Sequence, residues 1–233
     1  MKIALLGYGR MGKAIEKIAL ERGHEIVLKV DENTESYDVS VADVAIDFSI
    51  PTAAVGNLSN CFNGGTPVVS GTTGWLENYD AMCDLCNEKN GSFIYASNFS
   101  LGVNLFFELN KKVAQLMKPM LGTYGVTTEE IHHTKKLDAP SGTAITLAEG
   151  IIDNTDFEGW KLYEGDKNNL AITAKRVGDV PGTHSITYHS EVDEIEIKHT
   201  AYNRQGFALG AVVAAEWLAD KKGIYQMKDV LGL

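Results

Sequence analysis

"KIALLGYGRMGKAIEKIALERGHEIVLKVD", residues 2–31, decides the fold. An apolar run breaks at Gly7-Tyr8-Gly9-Arg10-Met11-Gly12, helical periodicity follows from Arg10 to Arg22, and a second apolar run closes on Asp31. Strand, glycine turn, helix and a second strand ending in an acid is the order of a dinucleotide-binding unit. There the first glycine makes the tight turn and the second lets backbone approach a pyrophosphate. The third lets helix pack on strand, and the helix start offers its free N–H groups to phosphate. Asp31 stands where an acid bonds the adenosine ribose hydroxyls, which favours NADH. The next residues, "ENTES" (32–36), hold no cation for a 2′-phosphate, while Arg10 is within reach of that region and keeps NADPH open as a second cofactor.

Outward from this stretch, strand-like and amphipathic segments keep alternating through the first hundred residues. "DVAIDFS" leads to a helix opened by Pro51, "TPVVSG" to a helix from about Leu76, and "SFIYAS" ends the series. Such alternation predicts a doubly wound α/β fold with a parallel sheet covered on both faces. Two loops after strand ends, Gly71-Thr72-Thr73-Gly74 and Ala96-Ser97-Asn98-Phe99-Ser100, fall where open α/β sheets bind ligands. The rhythm then changes. Val103, Phe106, Leu109, Val113 and Leu116 space a helix face, and "LAITAKRVG", "HSITYHSEV" and "EIEIKHTA" follow without helices between them. This predicts a second, α+β domain with an open mixed sheet. Its β-branched runs look too apolar for its own helices to cover, so a partner copy is expected. A last apolar helix, "GFALGAVVAAEWLAD", returns to the first domain. The expected division is 1–103 with 205–233, and 104–204.

The net charge of −10 argues against nucleic acid, which takes a basic surface. No apolar run is long enough for a membrane span and the start is not signal-like, so a cytoplasmic location is expected. Three cysteines make no disulfide framework. Cys83 and Cys86 fall one helical turn apart and read as buried, inert thiols.

"EIHHTKKLDAPSGTA", residues 130–144, concentrates the chemistry. In a strand His132 and His133 point to opposite faces, so one packing role does not explain both. Lys136 brings positive charge, and Ser141-Gly142-Thr143 behind Pro140 brings backbone N–H groups at a helix start. On an acidic protein this reads as a site for a small anion. Histidine also titrates near neutral pH and serves as an acid/base. His184, His189 and His199 lie in strand-like runs without such a context, and no metal site is expected.

"GYGRMG", "DFS", "GTTG", "SNFSLGVN", "EIHHTKKLDAPSGTA" and "RVGDVPGTHSITY" run in the order found in 4-hydroxy-tetrahydrodipicolinate (dihydrodipicolinate) reductases, and the chain resembles that family over nearly its whole length. The resemblance implies NAD(P)H-dependent reduction in diaminopimelate and lysine biosynthesis. It also implies a Rossmann domain completed by the C-terminal end, and a substrate domain that builds a homotetramer. It places the catalytic acid/base on His132, a substrate contact on His133, the family's lysine, a second catalytic residue able to supply the proton in place of His132, on Lys136, and the grip on a carboxylate of the small dicarboxylate substrate on Gly142 and Thr143. The cofactor loops fall on Gly7 to Gly12, Gly71 to Thr73 and Ala96 to Phe99. The chain departs from the family in a lean segment between Asp31 and Val44, and in Lys135, where some members have histidine. Two other readings share the glycine loop. A dehydrogenase of an amino acid such as aspartate would lack the Lys136–Thr143 stretch. A non-catalytic NAD sensor would pair with a basic DNA-binding region that this chain lacks.

Overall fold

Strands β1 (Lys2–Leu6), β3 (Val44–Asp47) and β4 (Val68–Ser70) are apolar and buried nearly throughout, as central strands of a sheet covered on both faces must be. The computed structural model describes residues 1–203 and 205–233. The chain divides into two units, Met1–Leu101 with Gln205–Leu233, and Gly102–Arg204.

In the first unit, β1, β3 and β4 join β2 (Glu25–Val30), β5 (Ser92–Tyr95) and β11 (Gly223–Tyr225) in the order β11-β5-β4-β3-β1-β2, with every pair parallel. The two-residue period of a strand sends alternate side chains to opposite faces. Ile3, Leu5 and Ile46 pack under α1 (Arg10–Glu21) and α6 (Gln205–Leu218), whereas Ala4, Leu6 and Ala45 pack under α2 (Pro51–Gly64) and α3 (Tyr79–Glu88). This is a Rossmann-type doubly wound sheet. Its order reverses between β1 and β3, which opens a crevice at the carboxyl ends of those strands. The apolar helix near the C-terminus is α6. It approaches so closely that a Cβ on Gly210 would lie 1.7 Å from the Phe99 carbonyl oxygen. Cys83 and Cys86 lie on α3, and burial pushes both thiols up, Cys86 to about 11. Strand β11 and the short α7 (Met227–Leu231) carry too little pattern to be read from sequence.

In the second unit, β6 (Gly125–His132), β7 (Gly159–Leu162), β8 (Asn169–Arg176), β9 (Gly182–His189) and β10 (Glu194–Ala201) form a mixed sheet in the order β10-β9-β6-β8-β7. One face packs against α4 (Leu101–Met117) and α5 (Gly142–Ile152), where Leu170, Ile172, Ile186 and Tyr188 are all buried. Coverage is uneven, since Ile195 of β10, paired with the buried Tyr188, stays 45% exposed, so the sheet is only in part the uncovered apolar surface expected from sequence. The opposite face carries residues such as Thr127, Glu129, Thr173, Lys175, Ser185 and Thr187, and the expectation of a homotetramer rests on the resemblance alone. The face of α4 also differs from its reading. Leu109 and Leu116 are 50% and 68% exposed, and the buried line is Val103, Phe106, Asn110, Ala114 and Met117. Asn110 occupies it because its side-chain amide donates to the Leu147 carbonyl at 2.8 Å.

Candidate active site

A cavity of about 600 Å³ opens over the ends of β1, β2 and β3. Gly7 to Met11 and Asp31 line it, with Phe48, Ser49 and Asn57. Gly7 has φ +97°, and a Cβ there would lie 2.2 Å from the Phe48 carbonyl oxygen, so only glycine makes this turn. Its N–H and that of Tyr8 both donate to the Val30 carbonyl at 2.9 Å, tying the loop to the end of β2. A Cβ on Gly12 would lie 2.4 Å from the Gly7 carbonyl oxygen, so its bare Cα sets how closely α1 packs on the turn. Gly9, which precedes the first residue of α1, has nothing within 4 Å of the place a Cβ would occupy. Open space at that glycine beside a helix start fits a pyrophosphate.

Asp31 is exposed just beyond β2, and its Oδ1 accepts the Asn33 N–H at 3.0 Å and the Thr34 hydroxyl at 3.1 Å. Two cations that sequence reading did not place stand over the Tyr8 ring, Lys29 at 4.8 Å and Lys13 at 5.9 Å from its centre. Glu16 holds Lys29 in an ion pair of 2.5 Å. The two later loops are less uniform than their sequence suggested. Thr73 and Ser97 are exposed, and Ala96 and Asn98 half-buried. Gly71 lies against Phe48, whose ring a Cβ would meet at 2.3 Å, and Phe99 is buried with its ring 5.7 Å from that of Phe48.

Thr72 faces inward to a group that the sequence reading placed in a strand without a role, the fully buried Asp47. Asp47 Oδ2 accepts the Thr72 hydroxyl at 2.7 Å and that of Ser70 at 2.9 Å, while Oδ1 accepts the Ser49 hydroxyl at 2.7 Å and the Asn57 amide at 2.9 Å. Burial pushes its pKa up, against the pull of these four neutral donors. The carboxylate knots the ends of β3 and β4 to α2 beneath the cavity.

In the second unit, β6 alternates so that Val126, Thr128, Glu130 and His132 face the helices. His132 is 8% exposed, and His133, on the next residue, lines a separate cavity of about 340 Å³ with Lys135 and Asp179. Glu130 is fully buried. Its Oε1 accepts from the Arg176 guanidinium at 3.0 Å and from the Ser141 backbone N–H at 3.1 Å. Its Oε2 is 3.1 Å from His132 Nδ1 and 3.8 Å from His184 Nε2. The first of these is an ion-pair distance lying off the line of a straight hydrogen bond, and neither atom has another hydrogen-bond partner among the described residues. Burial raises the Glu130 pKa, but the contacts from His132, Ser141 and Arg176 outweigh it and hold the carboxyl down at about 2. His184, read from sequence as an ordinary strand residue, belongs to this cluster. Its Nε2 is 3.2 Å from Ser141 Oγ, and burial, then the charge of His132, lower its pKa to about 4. Glu130, His132 and His184 have the donor types of a metal site. The guanidinium 3.0 Å from the same carboxylate already supplies the cation there and opposes a second.

Ser141 caps α5, its hydroxyl accepting the Ala144 N–H at 3.2 Å. Its own N–H goes to Glu130, so Ser141 is a buried cap rather than an amide donor to a ligand, contrary to the sequence reading. Gly142 and Thr143 follow it at the helix start, and a Cβ on Gly142 would meet nothing within 4 Å. Lys136 pairs with Asp138 at 2.8 Å, and its backbone N–H closes a turn onto the His133 carbonyl at 3.1 Å.

The family model described as the N-terminus of dihydrodipicolinate reductase matches residues 33–99, and the model of its C-terminus matches residues 102–231. The chain belongs to the dihydrodipicolinate reductase family. A 4-hydroxy-tetrahydrodipicolinate reductase from Christiangramia forsetii is 58% identical over 99% of this chain and 98% of its own length. The enzyme of that name from Methanocaldococcus jannaschii is 35% identical over 98% of this chain and 81% of its own. Among solved structures, a dipicolinate-bound dihydrodipicolinate reductase from Paenisporosarcina sp. TG-14 shares the fold over 97% of both chains, with TM-score 0.76 and 22% identity. An aspartate dehydrogenase from Thermotoga maritima has TM-score 0.51 and 13% identity. Membership of the family weighs against the amino-acid dehydrogenase reading, which shares only the fold. Sequence reading of this family member missed Glu130, Arg176 and His184. One signal was present: an acid two residues before His132 in a strand shares its face.

Proposed function

We propose that the chain reduces 4-hydroxy-tetrahydrodipicolinate to tetrahydrodipicolinate with NAD(P)H, in diaminopimelate and lysine biosynthesis. The 58% identity to a reductase of that name over 99% of the chain carries this reading. The first unit is the cofactor domain. Gly7 to Gly12 form the pyrophosphate loop, Asp31 takes the adenosine ribose, and Gly71 to Thr73 with Ala96 to Phe99 shape the nicotinamide end. NADH is the preferred cofactor, because Asp31 repels a 2′-phosphate and Glu16 engages the Lys29 charge, while Lys13 and Arg10 leave NADPH usable as a second cofactor. The reduced nicotinamide supplies a hydride to the substrate carbon conjugated to nitrogen.

The second unit, 102–204, holds the substrate and assembles the homotetramer. His132 delivers the proton that completes the reduction, with release of water from the hydroxylated substrate, and His133 contacts the substrate. One substrate carboxylate takes the Gly142 and Thr143 amides at the start of α5, where the helix dipole favours an anion. Lys136 exchanges Asp138 for the other carboxylate, and dipicolinate, the planar dicarboxylate bound to the Paenisporosarcina enzyme, supports that substrate class. The test is a coupled assay that makes the substrate in situ and follows absorbance of the reduced nicotinamide. Substrate-dependent loss of absorbance is the expected result. Cofactor binding without consumption would sink the reading and favour a non-catalytic NAD-binding module.

A further inference from the structure

We propose that Glu130 and Gly182 decide which nitrogen of His132 transfers the proton: Glu130 holds the proton on Nδ1, and Gly182 keeps Nε2 open to the substrate. The inference rests on the reading of His132 as proton donor and adds to it two positioning residues. The carboxylate is immobilised through its other oxygen, since the Arg176 guanidinium at 3.0 Å and the Ser141 N–H at 3.1 Å both end on Oε1. Oε2 is thereby turned toward His132 Nδ1, at 3.1 Å, and each of these two buried atoms lacks any other hydrogen-bond partner among the described residues. An ionised carboxylate only accepts hydrogen bonds. Nδ1 must then carry hydrogen in both charge states of the ring, after a small rotation that straightens the bond.

His184 does not compete for the charge. Its pKa, lowered to about 4 by burial and by the charge of His132, leaves it neutral near pH 7. Its Nε2 is nearer to Ser141 Oγ (3.2 Å) than to Oε2 (3.8 Å). On the opposite side of the His132 ring lies Gly182, the first residue of β9. A Cβ there would come within 3.1 Å of Nε2 and 3.4 Å of Cδ2, tighter than ordinary contact, so a side chain at this position crowds the ring beside that nitrogen. In the transfer the Nε2–H bond breaks and its proton bonds to the substrate. The ring is left neutral with hydrogen on Nδ1, facing a carboxylate that has stabilised the imidazolium and has not itself taken a proton.

Ring ¹⁵N spectra and steady-state kinetics of the full-length protein test this, using wild type, Glu130→Gln and Gly182→Ala. Wild type should show neutral His132 with hydrogen on Nδ1. In Glu130→Gln that signature should shift toward the other tautomer, with kcat lower by roughly 10²–10⁴-fold and KM for NADH unchanged, the scale of a misdirected acid/base. Gly182→Ala should keep the wild-type tautomer and lose kcat at least roughly tenfold. A wild-type His132 protonated on Nε2 when neutral would overturn the proposal, and so would normal kcat in either variant. The tautomer is read without turnover, so it stands or falls separately from the reductase reading. It also decides the matter if Glu130→Gln does not fold.

Discussion

His184→Gln should flatten the acid side of the protein's stability curve. His184 is 5% exposed, and burial and His132 lower its pKa from 6.5 to about 4. The folded state thus binds fewer protons than the unfolded chain between these values. Stability is complete above 6.5 and is lost as pH falls toward 4. At about pH 5 the unfolded imidazole is largely protonated and the folded one largely neutral, a difference of about 1.5 units or about 2 kcal/mol relative to about pH 7. For a chain of this size that is roughly 4–8 °C in Tm. Glu130 acts in the same direction but lower, between 4.5 and about 2, and hardly contributes in this interval. Thermal melts of wild type and His184→Gln across the interval isolate the effect, because His199 and the other titrating groups are common to both. Wild type should lose roughly 4–8 °C more than the variant on acidification, whatever the variant's Tm at neutral pH. Parallel curves would refute the argument, since they would mean that His184 protonates as easily folded as unfolded.

The cofactor reading makes Asp31→Ala lower kcat/KM for NADH by roughly tenfold and for NADPH by less, the scale of one charge-assisted hydrogen bond; initial rates with both cofactors check it. If Lys136 grips a carboxylate, Lys136→Ala should raise substrate KM and weaken inhibition by pyridine-2,6-dicarboxylate by roughly 10–100-fold, whereas Asp31→Ala leaves that inhibition unchanged. Gly9→Val adds a side chain into open space, so a melt should stay within about 2 °C of wild type while NADH affinity, read by fluorescence titration, falls more than about tenfold. Gly7→Ala, with its Cβ 2.2 Å from the Phe48 carbonyl oxygen, should instead lower Tm as well.

What the sequence disclosed and what it hid divide along a physical line. The glycine loop is legible because each glycine answers to a local constraint. A backbone at φ +97°, or a helix residue whose would-be Cβ lies 2.4 Å from the carbonyl oxygen of the turn, restricts the residue type at that position whatever surrounds it. The Rossmann sheet is legible for a similar reason, since strands covered on both faces must be continuously apolar. The helix α4 shows where this fails. A strictly apolar stripe chose Leu109 and Leu116, while the fold buried Asn110, whose amide finds the Leu147 carbonyl 37 residues away. Periodicity ranks residues by polarity and is blind to a polar group whose partner lies elsewhere.

The same blindness covers the parts of the site that control chemistry. Asp47 looked like a strand residue, yet its four donors come from Ser49, Asn57, Ser70 and Thr72 across a span of 25 residues. Glu130 meets Arg176 at a separation of 46 residues. Such groups enter the interior only as completed sets, because a buried charge without its partners is several kcal/mol less favourable than one with them. Each member taken alone therefore reads as a surface residue, and only the set explains the burial of any one. His132 escaped this because its neighbours in sequence, His133 and Lys136, are as unusual as itself. The Glu130 that orients it in our proposal carried only the weaker mark of sharing its face of the strand.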